Sequence, residues 1–439
     1  MEGFGMESIK IRVYDLLLIF YVIIMSPLFL IRILKGKYRK SFKRRFFSGP
    51  GLAESKKIDS QKKLVWIHAV SVGEVNSVRH LVKSLKKNDS VSVMITSVTE
   101  TGNFYALKNC PEADVITYLP FDFSWLIKSF YKNFRPACLV VAETEIWPNL
   151  LWQAHAFKVP VIYVNGRISD KTKGVYKKFS CFFKDVLKDV HLFLMQDSQA
   201  RDRIIAAGAR ASKVVIAGNM KYDSLPQPNE KPDKQIQRFI QDSSVILGDP
   251  KVPFILAAST HPKEEELIAR AVFKALDKVN LAIVPRHIER TPHIVRRLQK
   301  KLNLQCSLRS KDSWKAQSLL IVDTIGELTE FYKLCSFVIM GGTFEKIGGH
   351  NILEPAACAK AVIFGPEMFN FESEKKLLKN AGAFEVKDEN SLIEQIRFLA
   401  QNKKACEQAG SLGIEKVNSL RGASKKAEYI IMGLINQRN

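Results

Sequence analysis

The 439-residue sequence has seven cysteines, Cys110, Cys138, Cys181, Cys306, Cys335, Cys358 and Cys406, and no Cys-x-x-Cys pair among them. An odd, scattered set of this kind fits reduced thiols and excludes a disulfide-framed secreted module. No His/Cys group has zinc spacing and no Asp-x-Asp pair occurs, so a built-in metal has no support and chemistry without a cofactor is expected. A nucleophile elbow is also missing, because Ala69 stands where the first glycine of Gly-x-Ser-x-Gly would precede Ser71. That disfavours a serine hydrolase. No recognition helix or stacking-aromatic motif is present, which argues against nucleic acid as the partner. Acidic residues are few, 44 against 67 lysines and arginines, and the net charge of +23 exceeds what solubility needs. An anionic partner follows, whether acidic lipid headgroups, a phosphorylated substrate or nucleic acid, and charge alone does not choose among them.

Long apolar runs are scarce as well. The longest stretch of interest, residues 16–31, is uncharged over sixteen positions and bounded by Asp15 and Arg32, a length that suits an amino-terminal anchor with its ends snorkelling. Arg32, Lys35, Lys37, Arg39, Lys40, Lys43, Arg44 and Arg45 follow in place of a small-residue cleavage site, so removal as a signal peptide is not expected. This basic collar predicts a body on the cytoplasmic face, held to anionic lipid at about 1 kcal/mol per basic residue near the surface. Residues 1–45 are therefore read as anchor and collar.

From residue 64 onward short apolar runs alternate with amphipathic stretches, the pattern of a doubly wound parallel sheet. Candidate strands are 64–70, 91–95, 115–118, 138–142, 161–164, 192–195 and 214–216. After the first, Val75, Val78, Leu81, Val82 and Leu85 mark the one buried face of a helix. A polar, proline-containing segment then breaks the rhythm, and a second cycle follows with strands at 254–258, 281–284, 319–322, 337–340 and 361–364. The reading is an α/β chain of two Rossmann-like domains, 46–223 and 248–439, joined by a connection at 224–247. Ligands of such sheets bind outside the carboxyl ends of the strands, so the turns that follow strands carry the chemistry.

Six such turns stand out. Ser71 and Glu74 after the first strand have the spacing of a capping box, in which Ser71 takes the Glu74 N–H and Glu74 the Ser71 N–H. The helix dipole there would keep Glu74 ionised, without tuning it toward neutral pH. Glu143 and Glu145 follow the fourth strand. Two apart in an extended segment, only one of them need point at a substrate. Asn165, Gly166 and Arg167 follow the fifth. In the second domain Ser259, Thr260 and His261 lead into a helix with acids in its first turn, and Pro285, Arg286 and His287 end the next strand. Finally, residues 341–355 carry two glycine pairs before a helix expected to open near Asn351, a pattern that can converge N–H groups on a phosphate, with Glu354 placed to accept from a ribose diol.

Taken together, residues 66–74, 143–149, 165–167, 218–221, 285–287 and 341–355 resemble the Kdo transferases, which move 3-deoxy-D-manno-octulosonic acid from its CMP-activated form to a lipid A precursor. The resemblance implies a GT-B fold, two Rossmann-like domains facing across a cleft, and inverting, metal-independent transfer with CMP-Kdo as donor substrate. It implies Glu74 as general base and Ser71, Gly73, Glu143, Glu145 and Arg167 as acceptor-binding residues. On the donor side it points to Ser259, Thr260, His261, Pro285, Arg286, His287, Gly326, Glu327, Leu328, Gly348, Gly349, Asn351 and Glu354. Phe344, Glu345 and Lys346 depart from the smaller or more apolar residues expected between the glycine pairs, and no catalytic role is carried onto Glu345 or Lys346. An enzyme of this kind would sit at the inner membrane, its partners being CMP-Kdo, the lipid A precursor and the anionic membrane surface. The rival readings are another sugar-nucleotide enzyme of the same fold, acting on a lipid or as an epimerase, and a basic membrane-tethered nucleic-acid- or lipid-binding protein.

Overall fold

The structure, a computed structural model, describes residues 2–34, 41, 45, 52–143, 145–168, 174, 176, 178–227, 231–242, 252–311, 314 and 319–437. Apolar strands covered on both sides favour parallel pairing, and both sheets here are wholly parallel. The first compact unit comprises Met1–Ser224 and Arg421–Asn439, the second Leu225–Leu420.

In the first unit the strands are β1 (Lys63–His68), β2 (Val91–Ser97), β3 (Val115–Tyr118), β4 (Cys138–Ala142), β5 (Val161–Gly166), β6 (Leu192–Met195) and β7 (Val214–Ile216), in the order β3-β2-β1-β4-β5-β6-β7. Alternate residues feed two cores. Trp66, Met94, Leu139, Tyr163 and Phe193 lie on one side of the sheet, and Val65, Ile67, Val93, Val140 and Ile162 on the other. Helix Val72–Leu85 covers the second side with the face the sequence predicted.

The second unit repeats the plan with β8 (Phe254–Thr260), β9 (Asn280–Pro285), β10 (Cys306–Leu308), β11 (Leu319–Ile321), β12 (Phe337–Met340), β13 (Ala361–Phe364) and β14 (Ala383–Glu385), in the order β10-β11-β9-β8-β12-β13-β14. Strands β10 and β14, absent from the sequence reading, are three-residue edge strands, too short to show a period. In each sheet the order reverses beside the first strand, between β1 and β4 and between β8 and β12. Those two reversals are where an open α/β sheet leaves its crevice.

The domain boundaries read from sequence change in two places. The span 224–247, expected to be a connection, contains helix Lys234–Asp242 and falls within the second unit apart from Ser224, while 228–230 and 243–247 lie outside the described residues. The last helix, Ala423–Asn436, belongs to the first unit and not to the second. Its Ala427, Ile431 and Ile435 form a stripe at four-residue spacing in the core, where the helix packs against β4, β5 and helix Val72–Leu85. Asp223 fixes its start by accepting the N–H groups of Gly422 and Ser424, each at 2.6 Å.

The expected anchor lies in helix Glu2–Leu34, and among the described residues no helix is long and apolar enough to cross a membrane. Asp15 does not snorkel. It is buried, accepts Ser124 N at 3.0 Å and Asn149 Nδ2 at 2.8 Å, and so caps helix Ser124–Phe134, whose own N-cap residue, Phe123, makes no side-chain hydrogen bond. Lys10 pairs with Asp185 at 2.8 Å, and Tyr14 packs edge-on against Trp152. Asp15→Ala is expected to lower stability by about 1–3 kcal/mol, since the part-buried Ser124 N–H and hydroxyl lose their acceptor and the buried Asn149 amide keeps only Asp122 O, and an unchanged thermal midpoint would contradict this cap. Of the collar, Arg45 turns inward, donating from Nε to Leu119 O at 2.8 Å and lying over the Phe121 ring. Lys35, Lys37, Arg39, Lys40, Lys43 and Arg44 lie outside the described residues.

Candidate functional site

At the reversal in the first sheet, the turns after β1 and β4 bring three glutamates into one another's field. Ser71 N-caps helix Val72–Leu85, accepting the Glu74 N–H. The reciprocal half of the expected box is different: Glu74 Oε2 accepts from Val70 N at 2.8 Å and not from Ser71 N, while Ser71 Oγ donates to Oε1 at 3.0 Å. Glu74 is only 7 % exposed. Burial pushes its carboxyl up to about 7; the Val70 and Ser71 hydrogen bonds oppose this, and Glu145 and Glu143 add to it. The expectation that the helix dipole would keep Glu74 at an ordinary carboxylate value is thus corrected, because desolvation outweighs the dipole. Gly73 is exposed, and a Cβ there would meet only Ser71 Oγ, at 3.9 Å, so nothing inside the protein requires glycine.

Glu143 sits at φ +55°, a left-handed conformation that breaks the extended alternation. Both Glu143 and Glu145 therefore line the same cavity, of about 470 Å³, with Arg167, Tyr176, Gln196 and Arg203 among its other walls. Arg167 Nε donates to Glu143 Oε2 at 2.8 Å, and Lys221 Nζ stands 3.9 Å from Oε1. Glu145 has its carboxyl raised, by burial first and then by Glu143. Lys221 is not among the site residues the sequence suggests, although residues 218–221 belong to the motifs that carry the resemblance. Its placement depends on Asn165, whose Oδ1 accepts Met220 N at 3.0 Å, and on Asn219, whose Oδ1 accepts Lys221 N at 3.0 Å. Asn149, from the same loop as the two acids, is structural: it donates to Asp15 and to Asp122 O, while Asp122 accepts the N–H groups of Asn149 and Leu150.

The arrangement after β8 and β12 differs from a phosphate cradle. Gly341 N donates to Ala258 O, Gly349 N to Gly342 O, and the N–H groups of Gly342 and Phe344 both donate to Glu264. Glu264 also accepts His261 N at 2.8 Å, so one buried carboxylate gathers three backbone donors. Burial raises its carboxyl while the three hydrogen bonds oppose that. The second glycine pair serves packing. A Cβ on Gly348 would stand 2.6 Å from Phe369 Cε2, and one on Gly349 would stand 2.4 Å from Met368 Sδ. The helix that follows is Leu353–Ala357, five residues, started by Asn351 Oδ1 accepting Leu353 N at 3.1 Å. Asn351 Nδ2 also donates to Glu354 at 3.3 Å, and burial raises the Glu354 carboxyl.

Around this turn Ser259 adopts φ +56°, Thr260 is buried with its hydroxyl unpartnered among the described residues, and Pro285 closes β9. Arg286 and His287 are exposed, and neither forms an ion pair among the described residues. Gly326 needs its glycine for φ +93° before helix Leu328–Leu334. Glu327 is already engaged, its carboxylate paired with Arg309 at 3.0 Å and hydrogen-bonded by Thr324. The second unit thus brings Ser259, Thr260, His261, Arg286 and His287 together with His350, which the sequence reading had left unassigned.

Residues 40–224 match the family model described as 3-Deoxy-D-manno-octulosonic-acid transferase (kdotransferase). A 3-deoxy-D-manno-octulosonic acid transferase from Haemophilus influenzae is 31% identical over 370 residues, 82% of this chain and 85% of that protein. A bifunctional glycosyltransferase/methyltransferase from Fusobacterium nucleatum is 33% identical over 85% of this chain, which spans 58% of that protein's length. Among solved structures, a UDP-GlcNAc 2-epimerase from Neisseria meningitidis bound to UDP-GlcNAc aligns with 85% of this chain and 100% of its own, with a TM-score of 0.55 and 12% identity, a likeness of fold alone.

Proposed function

The chain belongs to the 3-deoxy-D-manno-octulosonic acid (Kdo) transferase family, and on that premise we propose that it is an inverting, metal-independent GT-B glycosyltransferase carrying Kdo from CMP-Kdo to a lipid A precursor. The observation that carries the catalytic part is Glu74: a buried carboxyl at the β1/β4 reversal whose pKa of about 7 suits a general base at physiological pH. Glu74 takes the proton of an acceptor hydroxyl as that oxygen bonds to the sugar's anomeric carbon. Glu143, Glu145, Arg167 and Lys221 hold the acceptor in the adjoining cavity, where Arg167 and Lys221 suit anionic groups and the acids suit hydroxyls. Arg286, Asn351 and Glu354 of the second unit take the nucleotide. Membrane contact is part of the same proposal. Leu16, Leu17, Phe20, Tyr21, Ile23 and Ile24 of the first helix are exposed, an apolar surface that supports seating at the bilayer interface where the acceptor's acyl chains lie.

The test is transfer from CMP-Kdo to a tetraacyl lipid A precursor, with uridine-linked hexoses as competing donors. Product is expected from CMP-Kdo only. The epimerase fold-likeness makes a uridine-linked sugar the informative control, and its turnover in place of CMP-Kdo would overturn the reading.

A further inference from the structure

The second unit contains a pair of imidazoles, His261 from the donor side that the resemblance implies and His350 outside it, to which the steps above give no chemical role. His261 stands directly after β8 and His350 in the loop after β12, and across the sheet reversal their Nε2 atoms are 2.9 Å apart. The rings stack with centroids 5.1 Å apart, and His287, from the turn after β9, meets His261 edge-on at 6.0 Å. Such a contact requires one Nε2 to donate its hydrogen and the other to accept, so the accepting ring is neutral, and burial and the nearby cations disfavour a charge on the donating ring as well. Protonating the second Nε2 would set two N–H groups against each other. Gly342 keeps this arrangement open: a Cβ there would stand 2.7 Å from His350 Cδ2 and 3.5 Å from His261 Cδ2.

The surroundings are mostly cationic. Arg286, His287 and Arg290 approach from the turn after β9, Arg290 being paired with Glu265 at 2.9 Å, and Lys263 pairs with Glu345 at 3.8 Å. Glu264 is spent on the backbone N–H groups of His261, Gly342 and Phe344. Burial, then His261, Arg286 and His287, hold His350 down at about 4, and burial followed by His287, Arg290 and Arg286 lowers His261. Two neutral imidazoles in a positive field lack an anion that would reward their protonation.

Resting on the reading that this unit binds CMP-Kdo, we propose that His261 and His350 jointly receive the donor's phosphate, that the anion parts the Nε2 contact, and that a proton is drawn onto the pair. Both rings then donate N–H to phosphate oxygens. During transfer the bond from the sugar's anomeric carbon to the bridging phosphate oxygen breaks, its electron pair stays on that oxygen, and the pair's extra proton passes to it. The acceptor hydroxyl's proton goes to Glu74, so charge and atoms balance.

Calorimetric titration of the whole chain with CMP at pH 8, in two buffers of different ionisation enthalpy, reads the proton directly. Wild type is expected to take up protons on binding CMP; His261→Gln and His350→Gln should lose that uptake and bind at least about tenfold more weakly. A measurement on wild type alone guards against misfolded variants: in nitrogen-15 imidazole spectra, the unprotonated Nε2 signal of the pair should vanish when CMP is added. Wild type that does not bind CMP overturns the donor reading and this inference with it. CMP binding without proton uptake, with the unprotonated Nε2 signal retained, or with uptake undiminished in both variants, overturns the role of the pair alone.

Discussion

Glu74→Gln should lower the transfer rate at least about 100-fold while its melting temperature at pH 8 stays equal to wild type or rises. The two halves of this result have one cause. Burial raises the Glu74 carboxyl from 4.5 to about 7, so the unfolded chain releases this proton from about pH 4.5 upward while the folded chain keeps it until about 7. Stability from this group is therefore fully present below 4.5 and lost as pH rises through 7. Glutamine removes the buried charge and still offers an oxygen to Val70 N, so the fold loses little. It has no basic electron pair for an acceptor hydroxyl, so catalysis is lost. The same value sets the wild-type profile: kcat/KM should fall as pH drops through about 7, because the base must be ionised. A variant as active as wild type would remove Glu74 from the chemistry, and a strongly lowered melting temperature at pH 8 would make it a structural residue.

The second large effect is expected at Glu264. Glu264→Ala leaves the buried Gly342 N–H and the part-buried His261 and Phe344 N–H groups without their acceptor. At about 1–3 kcal/mol for each unsatisfied group, partly relieved by entering water, the second unit should lose on the order of 3–5 kcal/mol, and CMP binding with it. Glu264→Gln is expected to fall between, since Oε2 serves His261 and Gly342 while Oε1 serves Phe344, and an amide has a single acceptor oxygen. Hydrogen exchange at the Gly342 and Phe344 amides is the direct measurement. Undiminished protection in the alanine variant would show that the carboxylate does not organise the loop.

Glu264 also shows where sequence reasoning stops. The double-wound pattern was legible because parallel strands buried on both sides are continuous apolar runs, and once strand order is known the turns after β1, β4, β8 and β12 are the ones to inspect. The first-turn acids after Pro262 read equally well as dipole partners, and nothing in their spacing singles out the one that reaches into another loop seventy-eight residues away. Lys221 beside Glu143 and His350 beside His261 are likewise long-range meetings. The local signal for Glu74, a serine three residues before it, correctly placed a cap and misjudged the proton, because burial is a property of the packed chain and not of the motif.

The return of helix Ala423–Asn436 to the first unit bears on how the protein is made. The second unit is one uninterrupted span, Leu225–Leu420, and has all its parts once Leu420 has emerged from the ribosome. The first unit has started earlier but must wait, with the part of its core beside helix Val72–Leu85 that will receive Ala427, Ile431 and Ile435 still open to water. A premature stop near residue 421 would thus spare the later-encoded unit and cripple the earlier one, and chaperone dependence should be concentrated in the interval before the final helix arrives.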